Sequence, residues 1–494
     1  MRFSLSTPLF AAALATLPFC TAAPANSITS YDAVIIGGGL AGLSAAKTLA
    51  AANKTYIVLE ARNRTGGRVE NANVPGGGIT EVGAEFIGQY QNYALNLAKE
   101  LGLELYEAYN KGKNVYYING KRSLTSAQSL FGQSIPGVDP YSVLQLFDTQ
   151  SDIDDMAKTI NLKQPWKSPK AAAWDKQTFG AWLDGRGLTK AARAVMETAT
   201  SSIWSVTSYE LSLLYAMTYV AGAGDEKHKG NFERLTSVGG EGAQRYRVVG
   251  GTELLASKLA DRLGHEHILL GAPVKSVVKK GGANEQYYTT TLRNGSAFAS
   301  RTVIVAMSPP VADLITYDPP LPASRTQLCQ RMKMGRIGKV ITTYKTPFWR
   351  KAGLTGQAVS STGTTRATFD QSLEDGSFYG IMGFVEADEM RDFDAAPVDE
   401  LTASVTKDLV NYFGPQAANA TSYVVKRWDL EEFSRGGPVA IAGPGILTEV
   451  GSALRDPVDG IHFAGTESAT YWIGYMTGAI ESGDRAAKEV IAKV

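Results

Sequence analysis

The chain has 494 residues, too long for one hydrophobic core, so two or three domains are expected. Its 49 Lys and Arg against 48 Asp and Glu leave a net charge of +1 with no basic tract. That balance excludes nucleic acid and anionic membrane surfaces as expected partners. The four histidines, His228, His265, His267 and His462, are scattered apart from a polar turn at His265-Glu266-His267, so no metal site is expected. No GxSxG run and no cysteine–histidine pairing points to nucleophilic hydrolysis.

At the N-terminus, Arg2 precedes an apolar run from Leu9 to Phe19, and Ala23-Pro24-Ala25 offers a small-residue cleavage pattern before Asn26. This reads as a signal peptide over 1–25, with the mature protein secreted or held in the secretory lumen. The run is too short to span a bilayer, so no membrane anchor is expected. On this reading Asn53, Asn294 and Asn419 are glycan acceptors, and Asn63 is discounted because it lies inside a glycine loop. Cys20 would leave with the leader, and Cys329 alone cannot form an internal disulfide.

The stretch Tyr31 to Arg68 organises the rest. A short apolar strand, Ala33 to Ile36, runs into Gly37-Gly38-Gly39-Leu40-Ala41-Gly42, then an Ala-rich helix pattern to Ala52, then a second strand, Tyr56 to Leu59, ending in Glu60. Strand, glycine turn, helix, strand and acid in this register bind a dinucleotide. Gly37 makes the turn, Gly39 lets backbone approach a pyrophosphate, and Gly42 lets helix pack on strand. The helix N-terminus offers free N–H groups to the phosphates. Glu60 is placed to accept from ribose hydroxyls and would repel a 2′-phosphate. Ala61-Arg62-Asn63-Arg64-Thr65-Gly66-Gly67-Arg68 follows, and then Glu81-Val82-Gly83-Ala84-Glu85. Two glycines between arginines suit backbone pressed against a bulky ligand with cations facing its phosphates.

Further along, Ile203 to Val220 holds Trp204, Tyr209, Leu211, Leu214, Tyr215, Met217 and Tyr219, read mostly as core with some members available to an apolar cavity. The wider segment 90–240 mixes helical patterns with turns such as Gly132 to Pro140. Strand patterns return at Ile268 to Leu270, Val274 to Val278, Tyr287 to Leu292 and Thr302 to Ala306. Gly335 to Tyr344 reads as a strand carrying one lysine, Lys339, among Ile337, Val340 and Ile341. Val398, Leu401, Val405, Leu409 and Phe413 repeat at helical spacing. Near the end come Phe463-Ala464-Gly465-Thr466-Glu467 and Trp472-Ile473-Gly474-Tyr475-Met476-Thr477-Gly478-Ala479, a second strand, glycine turn and helix start.

The runs at Glu60 to Arg68 and Phe463 to Ala479 resemble the flavin-containing amine oxidase family, which carries E-A-R-x-R-x-G-G-R and F-A-G-T-E…W-x-G-Y-M-x-G-A there. The resemblance covers residues 30–494 and is closest to the monoamine oxidase branch. It implies an α/β fold: a Rossmann-type FAD-binding domain with a discontinuous α+β substrate domain, of the amine oxidase and glucose-methanol-choline type. The expected division is 26–90, 241–310 and 431–494 for FAD, and 91–240 with 311–430 for substrate. The resemblance implies FAD held by Gly37, Gly39, Gly42, Glu60, Ala61, Arg62, Gly67, Arg68, Gly83, Ala84, Gly465, Thr466, Glu467 and Met476, with the Val274 backbone beside the adenine. Locally, Val274 reads equally as core.

The reaction so implied oxidises a C–N bond of a neutral amine, favoured by an apolar cavity, and passes the electrons to oxygen, giving imine or aldehyde and hydrogen peroxide. Lys339 matches the lysine that holds a water against the flavin, and Tyr475 one wall of an aromatic cage. Two departures stand out. Pro438 follows Gly436-Gly437 where the branch has the cysteine that tethers FAD, so FAD is expected to be noncovalent. Val439 to Ala442 also lacks the second aromatic wall. An amino acid or biosynthetic-intermediate oxidase or desaturase, and a flavoprotein without turnover, stay open as alternatives; oligomeric state is left undefined.

Overall fold

Ala33 to Ile36 are all buried because their strand, Ser30–Ile36, runs through the middle of an eight-stranded sheet. Ala33 and Ile35 face one apolar core and Val34 and Ile36 the other, the pattern of a strand covered on both sides. This computed structural model describes residues 30–127, 136–282 and 286–494. The leader expected over 1–25, with Cys20, and the start of the turn at Gly132 lie outside those residues.

The first sheet runs Thr316–Asp318, Val274–Lys280, Tyr287–Leu292, Ala297–Ala306, Ser30–Ile36, Tyr56–Leu59, Ile268–Leu269. Ile461–Ala464 also pairs with Ala297–Ala306, in parallel. The sheet is parallel around Ser30–Ile36 and carries an antiparallel hairpin on the other side. It continues to Asp318, past the expected boundary at 310. Helices Leu40–Ala51 and Met476–Ile491 pack together on one face, closely enough that a Cβ on Gly483 would lie 2.0 Å from the Ala41 carbonyl oxygen.

A second, seven-stranded sheet runs Ser422–Arg427, Ile337–Tyr344, Tyr379–Glu386, Ala367–Asp370, Leu354–Ser360, Lys113–Ile118, Lys121–Ser126. It is antiparallel except where Leu354–Ser360 meets Lys113–Ile118. Helix Val398–Phe413 covers one face with Leu401, Val405 and Leu409; Val398, expected on the same stripe, is exposed. Helices Pro140–Ala157, Lys190–Trp204 and Leu213–Ala221 form a third, mainly helical core. The expected α/β dinucleotide fold with a mixed α+β second part is present. Among the described residues no helix is long and apolar enough to cross a membrane.

The apolar run Ile203 to Val220 is core, as its composition favours, but it is split. Ser205 takes a left-handed conformation (φ 54°) and ends the first helix. Tyr209 falls in the connection, 54 % exposed, and donates to Asp184.

Candidate active site

One continuous cleft, partly open to solvent, reaches from Glu60 on the first sheet to Lys339 and Phe384 on the second. At its first end the chain turns at Gly37 (φ 107°), whose N–H donates to the Leu59 carbonyl at 2.9 Å. Each glycine meets a different demand. A Cβ on Gly42 would lie 1.8 Å from the Gly37 oxygen and one on Gly37 2.7 Å from the Ala306 oxygen, so both are dictated by packing. A Cβ on Gly39 would meet no protein atom nearer than 3.8 Å; its open side faces the cleft.

Helix Leu40–Ala51 begins there with no side-chain cap, and Leu40 and Ala41 line the cleft. Its first N–H groups therefore present partial positive charge to the space. Glu60, 4 % exposed, accepts from the Gly38 N–H at 2.6 Å and the Arg62 N–H at 2.8 Å, which fixes its carboxylate at the cleft wall.

The arginines also have protein partners that the sequence does not show. Arg62 donates to Glu431 (3.1 Å) and Ser434 (2.9 Å), and Arg68 to Glu467 and the Pro438 carbonyl, both at 2.8 Å. Arg64 serves three carbonyls of its own loop and Glu70. All three are tied to protein acceptors: Arg62 and Arg68 hold the loop against the segment 431–438, and Arg64 braces the loop from within. Arg62 and Arg68 still line the cleft, beside Ala61, Gly67, Gly83, Ala84 and Val274. Glu467 does not; it lies behind Arg68 and also accepts from the Ala440 N–H.

The second glycine turn closes the middle. Strand Ile461–Ala464 ends at Gly465 (φ 126°), and Gly465, Thr466, Tyr475 and Met476 line the cleft. The Thr466 hydroxyl accepts from the Gly474 N–H (2.7 Å) and donates to the Tyr475 carbonyl (3.0 Å), which fixes the loop carrying Tyr475. The Tyr475 ring packs 5.0 Å from Trp472 and 6.1 Å from Tyr219, centroid to centroid. Burial pushes its phenol well above the ordinary range, so Tyr475 acts as a neutral aromatic.

At the far end Phe86, Ile337 and Phe384 supply apolar wall. From the helix Lys190–Trp204, Ser202 alone reaches the cleft, and no large residue of 203–220 does. Lys339, 2 % exposed, donates to the Glu81 carbonyl (2.8 Å), the Gly83 carbonyl (3.2 Å) and the Glu85 carboxylate (2.6 Å). Behind it Arg247 pairs with both Glu81 and Glu85. Burial raises the Glu81 carboxyl and the adjoining Arg247 guanidinium pulls it back.

Glu386, beside Ile337 in the sheet register, lies against Ser202 at 3.4 Å with its other oxygen unpartnered. Burial, with Glu389 nearby, holds its carboxyl well above the usual range. Glu81, Arg247, Ser202 and Glu386 were not singled out from sequence. Pro438 stands where a tethering cysteine was sought, and among the described residues no cysteine lines the cleft; Cys329 is buried elsewhere. Nor do the described residues hold a group of side chains able to bind a metal ion.

An uncapped helix start above an open glycine, a fixed acid at the far edge of the turn, and a cleft continuing to an apolar wall form a site of the dinucleotide-binding class. A match to the family described as flavin containing amine oxidoreductase spans residues 40–491. The chain is 34 % identical to the probable flavin-containing monoamine oxidase A of Dictyostelium discoideum over 467 residues, 94 % of this chain and 98 % of that protein. It is 34 % identical to amine oxidase [flavin-containing] B of Sus scrofa over 93 % of this chain and 86 % of that protein. Among solved structures, cyclohexylamine oxidase from Brevibacterium oxydans IH-35A superposes with TM-score 0.86 at 30 % identity, covering 94 % of this chain and 99 % of that one. Putrescine oxidase bound to putrescine gives TM-score 0.87 at 28 % identity, with the same coverage.

The chain belongs to the flavin-containing amine oxidoreductase family. It is an oxidoreductase with a flavin cofactor that acts on amines, and the cleft residues fit that cofactor. The relatives also correct one expectation. Kinship with amine oxidase B runs over 93 % of the chain and lends no support to a cleaved leader, secretion or glycosylation, so that description is withdrawn. An apolar run after one arginine is a compositional pattern that many N-termini satisfy without being exported.

Proposed function

We propose that this protein binds FAD noncovalently and oxidises the C–N bond of a small-molecule amine, with oxygen as acceptor and imine (then aldehyde) and hydrogen peroxide as products. The observation that carries the reading is the continuity of the cleft from Glu60, past the two helix starts, to an apolar wall beside Lys339. When bound, FAD supplies the two-electron acceptor. Gly37, Gly39 and Gly42 shape the turn over its pyrophosphate, Glu60 takes the adenosine ribose, and Val274 flanks the adenine. Tyr475 aligns the amine, and the surrounding apolar residues disfavour the ammonium form by withholding water.

Pro438 supports noncovalent attachment. Acid precipitation of the purified yellow protein should leave all flavin in the supernatant; flavin in the pellet refutes the point. Gly437 and Pro438 line the cleft where the branch carries larger side chains, which favours bulkier amines than a two-walled cage would take. An amino acid is disfavoured, because its carboxylate would need a free cation, and the cations on the cleft wall, Arg62, Arg68, Arg293 and Lys339, are already paired with Glu431, Glu467, Glu432 and Glu85. A peroxide-coupled screen of monoamines, diamines, polyamines and amino acids tests the whole reading. Release of peroxide with amines and not amino acids supports it, and flavin-loaded protein that turns over nothing on the panel overturns it.

A further inference from the structure

An ammonium group has three hydrogens, and each one on Lys339 already has a protein acceptor. Two are carbonyls of the loop after Thr80, and the third is Glu85, in a pair whose side chains are 3 % and 2 % exposed. The other Glu85 oxygen lies 3.1 Å from Arg247 Nε but makes no aligned hydrogen bond. Arg247, 1 % exposed, is separately anchored to Glu81 at 2.5 Å and to the carbonyls of Gln371 and Ser372, so it does not depend on Glu85 for its place. Glu85 and Lys339 both line the cleft. The lysine thus stands as half of a buried ion pair, within a group of two acids and two bases that balance formally.

We propose that Glu85 sets the electrostatic field at the reacting face of the flavin by compensating the charge of Lys339. The proposal rests on the assignment of Lys339 to that face. A lone cation there would favour added electrons, since reduction makes the ring system more negative; a carboxylate 2.6 Å from the cation cancels most of that field. The readiness of the flavin to accept electrons is then a property of the pair.

Sulfite, which adds to oxidised flavins and binds more tightly the more positive their surroundings, reads this field without turnover. Flavin-loaded parent, Glu85→Gln, Lys339→Met and the double variant would be titrated with sulfite by absorbance. Glu85→Gln should bind sulfite about tenfold more tightly or better, Lys339→Met about tenfold more weakly, and the double variant near the parent, as expected when one charge of each sign is removed. Glu85→Asp, which keeps the charge, should stay near the parent. If Glu85→Gln loses its flavin, the test passes to Lys339→Met against the double variant, where tightening is expected. Flavin-loaded Glu85→Gln within twofold of the parent, with Lys339→Met weakened, overturns the role of Glu85 alone. Lys339→Met unchanged removes the lysine from the flavin face and overturns the proposal, while the peroxide screen decides amine oxidation separately.

Discussion

At one end of the cleft Gly37, Gly39 and Gly42 act through backbone alone, within six residues of one another, and a single acid, Glu60, completes the arrangement. At the other end Glu85, Arg247, Lys339 and Ser202 arrive from four distant segments and act only through side chains. The first end fails by steric insult and the second by charge imbalance, so the two respond to different substitutions.

The largest effect is expected at Gly42. Gly42→Ala puts a methyl 1.8 Å from a backbone oxygen that cannot move without displacing Gly37, and overpacking of this kind costs about 3 kcal/mol. A lower Tm and absent 450 nm absorbance should appear together. Gly39→Ala should separate them, since its methyl meets no protein atom nearer than 3.8 Å: Tm of the flavin-free protein stays, and flavin retention falls. A Gly39→Ala protein with full flavin would place the phosphates elsewhere.

Next is Glu60→Ala, which strips an acceptor from two backbone N–H groups and, in the binding mode proposed above, from the ribose; losing a charged hydrogen-bond partner costs roughly 1.5–3 kcal/mol. FAD affinity by fluorescence titration should fall at least about tenfold, and the flavin-free protein should melt earlier.

The charged end is read through pH and not through a single loss of stability. Glu386 holds its proton more tightly folded than unfolded, so its contribution to stability is complete at pH below the ordinary carboxylate range. It is lost as pH rises towards the elevated folded value, by at most about 1.4 kcal/mol per pH unit. Glu386→Gln keeps the shape without the titration. Its Tm should therefore decline less than that of the parent as pH is raised from about 5 to 8. Parallel curves would mean that Glu386 is ionised in the fold.

The same contrast explains what was legible beforehand. The glycine turn, Glu60, the second turn at Gly465 and the strand holding Lys339 are local patterns, because backbone geometry is written in consecutive residues. Glu85 and Lys339 are 254 positions apart, and nothing in either neighbourhood specifies the other. The arginines of 62–68 are legible only in part for a related reason: a cation near a glycine loop signals an anion, but composition does not show that Arg62 and Arg68, which line the cleft, are also tied to Glu431 and Glu467. Tyr209 was misplaced because a left-handed Ser205 interrupts an otherwise continuous helical pattern.

The packing of helix Met476–Ile491 on Leu40–Ala51 also has a biosynthetic consequence. The surface that Ala41 and Ala45 present to Gly483 is made early in translation, and its cover follows 442 residues later, counted from Ala41 to Gly483. At about 5–20 residues per second the nascent nucleotide site waits roughly 20–90 s before it can close. During that interval the apolar faces of the first strands and helix need protection, and the cofactor has no finished site to bind. Flavin loading in this chain is thus a late event in the life of the polypeptide, governed by when its distant segments meet.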